Sequence, residues 1–403
     1  MKKKNKDIEY LFPHALDVDE FKKISSHEPF SNDSIDFLDI LSKTLLSNIK
    51  TKLYPDVATF AFFCRKGNII KLKQKYLRED NLRLGRGIIF HIAPSNVPVN
   101  FAYSLICGIL SGNTNIVRVP SKNFEQIKII ISAIEIISKL PEHEMFSKRI
   151  LLLRYDRKNN LTNYFSSFCD IRIIWGGDKS IEEIRSNKLP AKAFDITFAD
   201  RYSLCVINAD EYIKELEKDK ITEAFYNDTY LFDQNACTAP HLIIWLGDQK
   251  KVNESKNIFW NKLHNLALLR YKVQPVISVD KLTALYTQSI KSEKIKKQDS
   301  IDNLVWRIEL QELSKDIDEY RCTSGYFCEY HAKSIFEISK IVNRKYQTLS
   351  YYGIKKTELE QFIKDSKPSG IDRIVPIGKT MDFSLTWDGY NLIEALSRKV
   401  DII

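Results

Sequence analysis

The sequence predicts an α/β protein with two doubly wound parallel-sheet domains behind an N-terminal helical segment. Three observations predict the α/β part. Apolar strand-like runs alternate with helical ones from about residue 84 onward, the texture of βαβ units. Those runs are apolar on consecutive residues, as in strands buried on both faces. And 403 residues with 44% apolar side chains exceed one small domain and supply a large core.

From the N-terminus, Ser31-Asn-Asp-Ser-Ile-Asp-Phe-Leu-Asp-Ile-Leu reads as an N-capped amphipathic helix, with Phe37, Leu38, Leu41 and Leu45 at helical spacing. A second helical stretch is expected from Tyr54 to Tyr76, so residues 1–80 form a helical segment packed on the first sheet domain. Leu84–Ile92 reads as a buried strand. Ala93-Pro-Ser-Asn-Val-Pro-Val-Asn100 must be irregular, because two prolines so close exclude a helix interior or a central strand. Phe101–Ser111 reads as a buried helix ended by Gly112-Asn113, and Asn115–Val119 as a short strand. A helix is expected from Ser121 to Lys139, with Ser121 or Asn123 as its cap. Arg149–Arg154 and Ile171–Trp175 are expected strands, and Gly176-Gly177-Asp178 a turn opening a helix. Tyr202–Ile207 leads into a second alternating half, with a helix at 220–230, a strand at 241–246 and a helix around 253–270. The boundary between the halves is expected near 208–210. Residues 373–403 form a C-terminal segment returning to the domain interface, with a closing helix at Leu392–Arg398.

Composition excludes several classes. Charged residues at 28% with only 13 Gly and 12 Pro argue against disorder. The basic start, Met1-Lys-Lys-Lys-Asn-Lys-Asp, has no apolar stretch behind it, so no secretory signal is expected. The longest apolar run, Phe101–Leu110, is too short to span a bilayer. Seven scattered cysteines form no CxxC pair and no zinc-spaced cluster. A reducing cytoplasm and no metal are therefore the expectation. The net charge of +9 is spread, with a local run at Lys291–Lys297. No clustered Arg with interleaved aromatics points to nucleic acid, whereas a nucleotide or coenzyme A suits a basic site.

Four constellations bear chemistry. Cys237 lies in Asp-Gln-Asn-Ala-Cys-Thr-Ala-Pro240, between a helix and a strand, among small and amide side chains. Asn96 stands in a Pro-bounded turn directly after a buried strand, where α/β sheets bind ligands; its amide is a neutral donor suited to an oxyanion. Arg118 closes a strand and Ser121 opens the expected helix, a combination suited to phosphate or ribose. Gly176 and Gly177 let backbone approach a ligand at a helix start. Each has a plainer reading: a buried cysteine, an Asn bonding its own turn, a surface Arg with an ordinary cap, a tight turn capped by Asp178.

Taken together, residues 84–122, the Trp175-Gly-Gly-Asp turn, the segment around Cys237 and the tail Asp382-Phe-Ser-Leu-Thr-Trp-Asp-Gly-Tyr390 closely resemble the LuxC-like acyl-CoA reductases, typified by the fatty-acid reductase of the bacterial luciferase operon, within the aldehyde dehydrogenase superfamily. The resemblance runs from about Phe37 to the C-terminus. It implies an NAD(P)-binding domain at 81–208 and a catalytic domain at 209–372. It makes Cys237 the acyl-accepting thiol and places Asn96, with the Cys237 N–H, at the oxyanion. Pro94 and Ser95 flank the cofactor. Arg118 and Ser121 fall at the adenosine ribose, and Gly176 and Gly177 at the pyrophosphate.

The superfamily's glutamate base is not evident; Asp200 is a possible stand-in in the wrong register. The carboxylate that grips the nicotinamide ribose is not evident near Thr323-Ser-Gly325. The implied activity is NADPH-dependent reduction of an acyl-CoA or other acyl thioester, with coenzyme A leaving. NADPH is expected over NADH because Arg118 and Lys122 suit a 2′-phosphate. An acyl-activating synthetase is the implied partner, and a homo-oligomer is expected. Two competing readings are an ordinary aldehyde dehydrogenase that makes acid, and a non-catalytic acyl carrier or scaffold.

Overall fold

A computed structural model describes residues 8–14, 17–77, 82–156 and 160–402. They divide into two compact units, Met1–Ala199 with Ser384–Ile403, and Asp200–Phe383. The strand Tyr202–Asn208 belongs to the sheet of the second unit, so the division precedes the strand and lies before the position expected near 208–210.

Before Ala199 the strands of the first unit are β1 (Ile8–Phe12), β2 (Arg83–Gly85), β3 (Ile88–Ile92), β4 (Thr114–Arg118), β5 (Ile150–Tyr155), β6 (Ile171–Trp175) and β7 (Phe194–Phe198). Six of them form one sheet in the order β1-β5-β4-β3-β6-β7, parallel except for the edge strand β1. The chain builds β3, β4 and β5 toward one edge, then crosses back to lay β6 and β7 beyond β3. The reversal falls between β3 and β6, the kind of switch point at which open sheets bind ligands. All five residues of β3 and of β6 are buried, as expected of mostly apolar strands covered on both faces; the two polar members, His91 and Arg172, are hydrogen-bonded.

The N-terminal helices show where local preference loses to long-range contact. The helix Asn32–Ser47 forms as expected, its first turn capped by Ser31. The stretch from Tyr54 breaks into Pro55–Phe63 and Lys66–Tyr76. The break is held by Asp39, which accepts from the Lys66 N–H at 3.0 Å, and by Asn68 Nδ2, which donates to Phe63 O at 2.7 Å. The expected helix from Ser121 begins only at Glu125, and Phe124 rather than Ser121 or Asn123 stands at its cap. Arg154 of β5 donates to Pro120 O at 2.9 Å and to Asn123 Oδ1 at 3.3 Å. Those bonds hold 120–123 off the helix and occupy the Asn123 side chain. The closing helix is Leu392–Leu396; Ser397–Lys399 instead pairs antiparallel with β2.

In the second unit the strands are β8 (Tyr202–Asn208), β9 (Pro240–Leu246), β10 (Ile295–Lys297), β11 (Trp306–Leu310), β12 (Tyr326–Ala332), β13 (Tyr346–Tyr352) and β14 (Arg373–Pro376). Their order is β10-β11-β12-β9-β8-β13-β14, with only β10 antiparallel. The sheet is clamped to the helix Gln249–Arg270 by Glu329 of β12, which is fully buried. Glu329 accepts from the indoles of Trp245 and Trp260 at 3.1 and 3.0 Å and from Arg307 at 2.7 and 3.0 Å. A buried carboxylate persists only with such compensation. Among the described residues no helix is long and apolar enough to cross a membrane.

Candidate functional site

In the first unit, a cleft of about 620 Å³ opens at the C-terminal ends of β3, β4 and β6, within the size range of small-molecule sites. Pro94, Ser95 and Asn96 from the turn after β3, Arg118 from the end of β4, and Gly176 and Gly177 after β6 all line it. Six of the expected site residues, far apart in sequence, thus share one cleft. Ser121 and Lys122 are outside its lining and exposed, a consequence of the displaced helix start. The turn carrying Asn96 is irregular as its prolines demand, and the Asn96 side chain is exposed.

The glycine pair is not required by packing. A Cβ added to Gly177 would meet nothing within 4 Å, and one on Gly176 would stand 3.5 Å from the Ser180 Cβ. Gly177 itself is the N-cap of Asp178–Arg185, with no side-chain cap bond, so Asp178 is not the cap. The open start of this eight-residue helix therefore faces a space that a side chain would narrow, which favours close approach of an anionic group. Among the described residues Arg118 is the cation of the lining; its guanidinium stacks 4.8 Å from the Tyr155 ring and donates to Tyr155 O at 3.3 Å. Asn160 and Thr162 also line the cleft and were not identified from sequence, since nothing local marks a loop residue as cleft-facing; Trp175, read from sequence only as the start of the glycine turn, lines it too.

Cys237 lies in the second unit, on the loop before β9. Of the seven cysteines it alone is partly exposed; Cys64, Cys107, Cys169, Cys205, Cys322 and Cys328 are buried. Burial pushes the thiols of those six up, to about 12 for Cys169, Cys205 and Cys328, which makes them poor nucleophiles. The Cys237 loop is braced from both sides. Asp233 and Gln234 adopt left-handed backbone, φ 52° and 60°. The buried Gln234 amide donates to Pro240 O and Tyr326 O at 3.0 and 3.1 Å and accepts from the Gly325 and Tyr326 N–H groups at 3.0 and 3.2 Å. Ser203 Oγ donates to Cys237 O at 2.7 Å. Such bracing holds a reacting atom in place.

Two neighbours of that segment that could act as its base have other surroundings to satisfy. His241 is buried in β9, stacked on Tyr202 at 5.6 Å, and desolvation holds its imidazole down to about 3. Asp200, the possible stand-in base, is engaged by the Arg321 guanidinium. Among the described residues no group of three or more His, Cys, Asp or Glu is placed to hold a metal ion.

Buried titratable groups give the protein a defined acid response. Desolvation holds His91 down to about 4 and His241 to about 3, and raises Asp228 to about 6. Stability from the two neutral histidines is full above pH 6.5 and is lost as pH falls toward 4 and 3. Asp228 has the opposite sign: folded, it takes its proton near 6, whereas unfolded it waits until near 3.8. Between pH 6 and 4 these three groups leave about one net proton taken up on unfolding, so stability falls as pH falls. Thermal melts should show Tm falling steadily from pH 6.5 to 4; a flat profile contradicts the burial of the two imidazoles.

The fold is that of the aldehyde dehydrogenases. Aldehyde dehydrogenase 21 from Physcomitrella patens superposes with a TM-score of 0.64 at 10% identity, covering 91% of this chain and 85% of that one. Glyceraldehyde-3-phosphate dehydrogenase GapN from Methanocaldococcus jannaschii, solved with NADP, superposes at 0.62 with 13% identity, covering 95% and 92%. Within that fold, the acyl-CoA reductase (LuxC) family matches residues 71–399, and the chain belongs to it. The long-chain acyl-protein thioester reductase of Aliivibrio fischeri is 25% identical over 164 residues, 40% of this chain and 33% of that protein. The chain thus spans about a third of the length of that curated relative.

Proposed function

We propose that this protein reduces an acyl thioester, such as a fatty acyl-CoA, to the aldehyde, with NADPH as the hydride donor and Cys237 as the acyl-accepting thiol. The observation that carries the reading is the singular placement of Cys237: six thiols are sequestered, and the seventh stands on a braced, partly exposed loop. Family membership supports the thioester as substrate class.

Cys237 Sγ attacks the thioester carbonyl, the new C–S bond forms, and the former C–S bond breaks with its electron pair leaving on coenzyme A, which takes up a proton. When bound, a nicotinamide cofactor would supply hydride to the acyl carbon. Collapse of the resulting thiohemiacetal anion expels the Cys237 thiolate and releases the aldehyde. The family resemblance assigns the oxyanion of both stages to Asn96 and the Cys237 N–H. The first unit's cleft fits a dinucleotide in size, in its place at the sheet's switch point, and in its open glycine pair. Pro94, Ser95 and Arg118 would hold the cofactor along with Gly176 and Gly177, and Arg118 favours a 2′-phosphate. Because Ser121 and Lys122 lie off the cleft, they have no part in this proposal.

Engagement of Asp200 by Arg321 favours hydride reduction over hydrolysis, since no activated water is then provided from that position. The test is mass spectrometry after incubation with acyl-CoAs of graded length and no nucleotide. A mass increase equal to the acyl group, mapped to Cys237 and discharged as aldehyde on adding NADPH, is the expected result. Discharge as acid would favour the ordinary dehydrogenase reading. A stable adduct that NADPH does not discharge would favour an acyl carrier.

A further inference from the structure

Behind the cleft, three of the segments that shape it meet at one serine. His91 lies on β3, five positions before Asn96; Ser104 lies on the helix Asn100–Leu110 beyond the Asn96 turn; Trp175 ends β6 immediately before Gly176. Trp175 lines the cleft and stacks on Phe198, centroids 3.9 Å apart at 24°. His91 and Ser104 are fully buried, and no step of the chemistry uses them.

The protons of this cluster have one consistent arrangement. Trp175 Nε1 can only donate, and it does so to Ser104 Oγ at 3.0 Å. The single Ser104 proton is then free for His91 Nδ1 at 2.8 Å. Nδ1 therefore accepts, and the ring proton sits on Nε2, where it donates to Asn115 Oδ1 at 3.1 Å. Asn115 Nδ2 in turn donates to Asn113 O at 2.9 Å. Every hydrogen bond of the cluster is satisfied by this one tautomer. The approach is close: a Cβ on Gly108 would lie 1.7 Å from Asn115 Oδ1 and 3.1 Å from His91 Nε2. Glycine at 108 is what lets the helix settle against the pair.

We propose that His91, Ser104 and Trp175 form a positioning relay for the nicotinamide nucleotide. It locks the rotation of the Trp175 indole and the spacing between the Asn96 turn and the Gly176-Gly177 turn, and so sets nucleotide affinity. The inference rests on the nucleotide reading of this cleft. None of the three is a catalytic residue; they act through the walls they hold.

The experiment titrates NADPH by fluorescence into the wild type and variants, with Tm measured alongside. Ser104→Ala removes one hydroxyl and strands both of its partners; NADPH Kd should rise roughly fivefold to tenfold. Ser104→Thr, which keeps the hydroxyl, should stay within about twofold of wild type. Trp175→Phe keeps a ring and deletes the donor, and should reproduce most of the rise, with Ser104→Ala adding less than about twofold in that background. If Ser104→Ala does not fold, Trp175→Phe carries the test alone. A lowered Tm with NADPH Kd within about twofold of wild type would reduce the cluster to a structural role and overturn the proposal. A wild type that binds neither NADPH nor NADH instead overturns the nucleotide reading beneath it.

Discussion

Cys237→Ala is expected to lose acyl-thioester reduction by at least about 10³-fold while keeping its NADPH Kd and its Tm close to wild type. Removal of a covalent nucleophile leaves only the rate that binding and oxyanion stabilisation can support. None of the six buried cysteines can stand in: burial raises their thiols, so the thiolate fraction near neutral pH is small. The change is also structurally mild. The loop is held by Gln234 and by Ser203, which donates to the backbone carbonyl of residue 237. A steady-state assay of NADPH consumption decides the matter, with acylation by mass spectrometry as its companion. A variant that consumes NADPH on acyl-CoA at the wild-type rate sinks the proposal outright.

Asn96→Ala carries the next largest expected effect, a fall of about 10²–10³ in kcat, with nucleotide Kd changed by less than about threefold. One preorganised donor to an oxyanion is worth about 2.7–4 kcal/mol in the transition state, and far less to a ground-state ligand. The side chain is exposed on a turn whose backbone path its two prolines dictate, so its loss should not move the turn. Asn96→Asp tests the same point from another side. A carboxylate there repels the developing charge, so the fall should be at least as deep. Equal losses in kcat/KM and nucleotide affinity for Asn96→Ala, with kcat preserved, would assign Asn96 to binding instead. Together with the Ser104 series, these variants separate three jobs: forming the thioester, stabilising its oxyanion and seating the nucleotide.

Much of the fold was legible because its signals are local. Mostly apolar runs at Ile88–Ile92 and Ile171–Trp175 give strands buried on both faces, and two prolines within five residues force the Asn96 turn. The failures share one cause, a long-range bond that outweighs a local preference. Ser121 is a good cap by type, yet Arg154, far along the chain on β5, fastens Pro120 and Asn123 and moves the helix start to Glu125. Tyr54–Tyr76 is helical by propensity, yet Asp39 fixes a break before Lys66. The last residues look helical, yet Ser397–Lys399 finds β2. The edge strand β10, Ile295-Lys-Lys297, escaped notice because its polar residues leave no apolar run to read; β1 escaped because Ile8–Phe12 is too short a run to tell strand from helix.

By itself the sequence determined the class of architecture, the irregular turn at Asn96, the glycine pair and the family resemblance, all properties of adjacent residues. Only the tertiary structure decided which cysteine is accessible, that Arg118 reaches the cleft while Ser121 and Lys122 do not, and that His91, Ser104 and Trp175 share protons behind it. The reason is physical: burial, cleft membership and hydrogen-bond partners belong to pairs of residues distant in the chain, and no single segment encodes them.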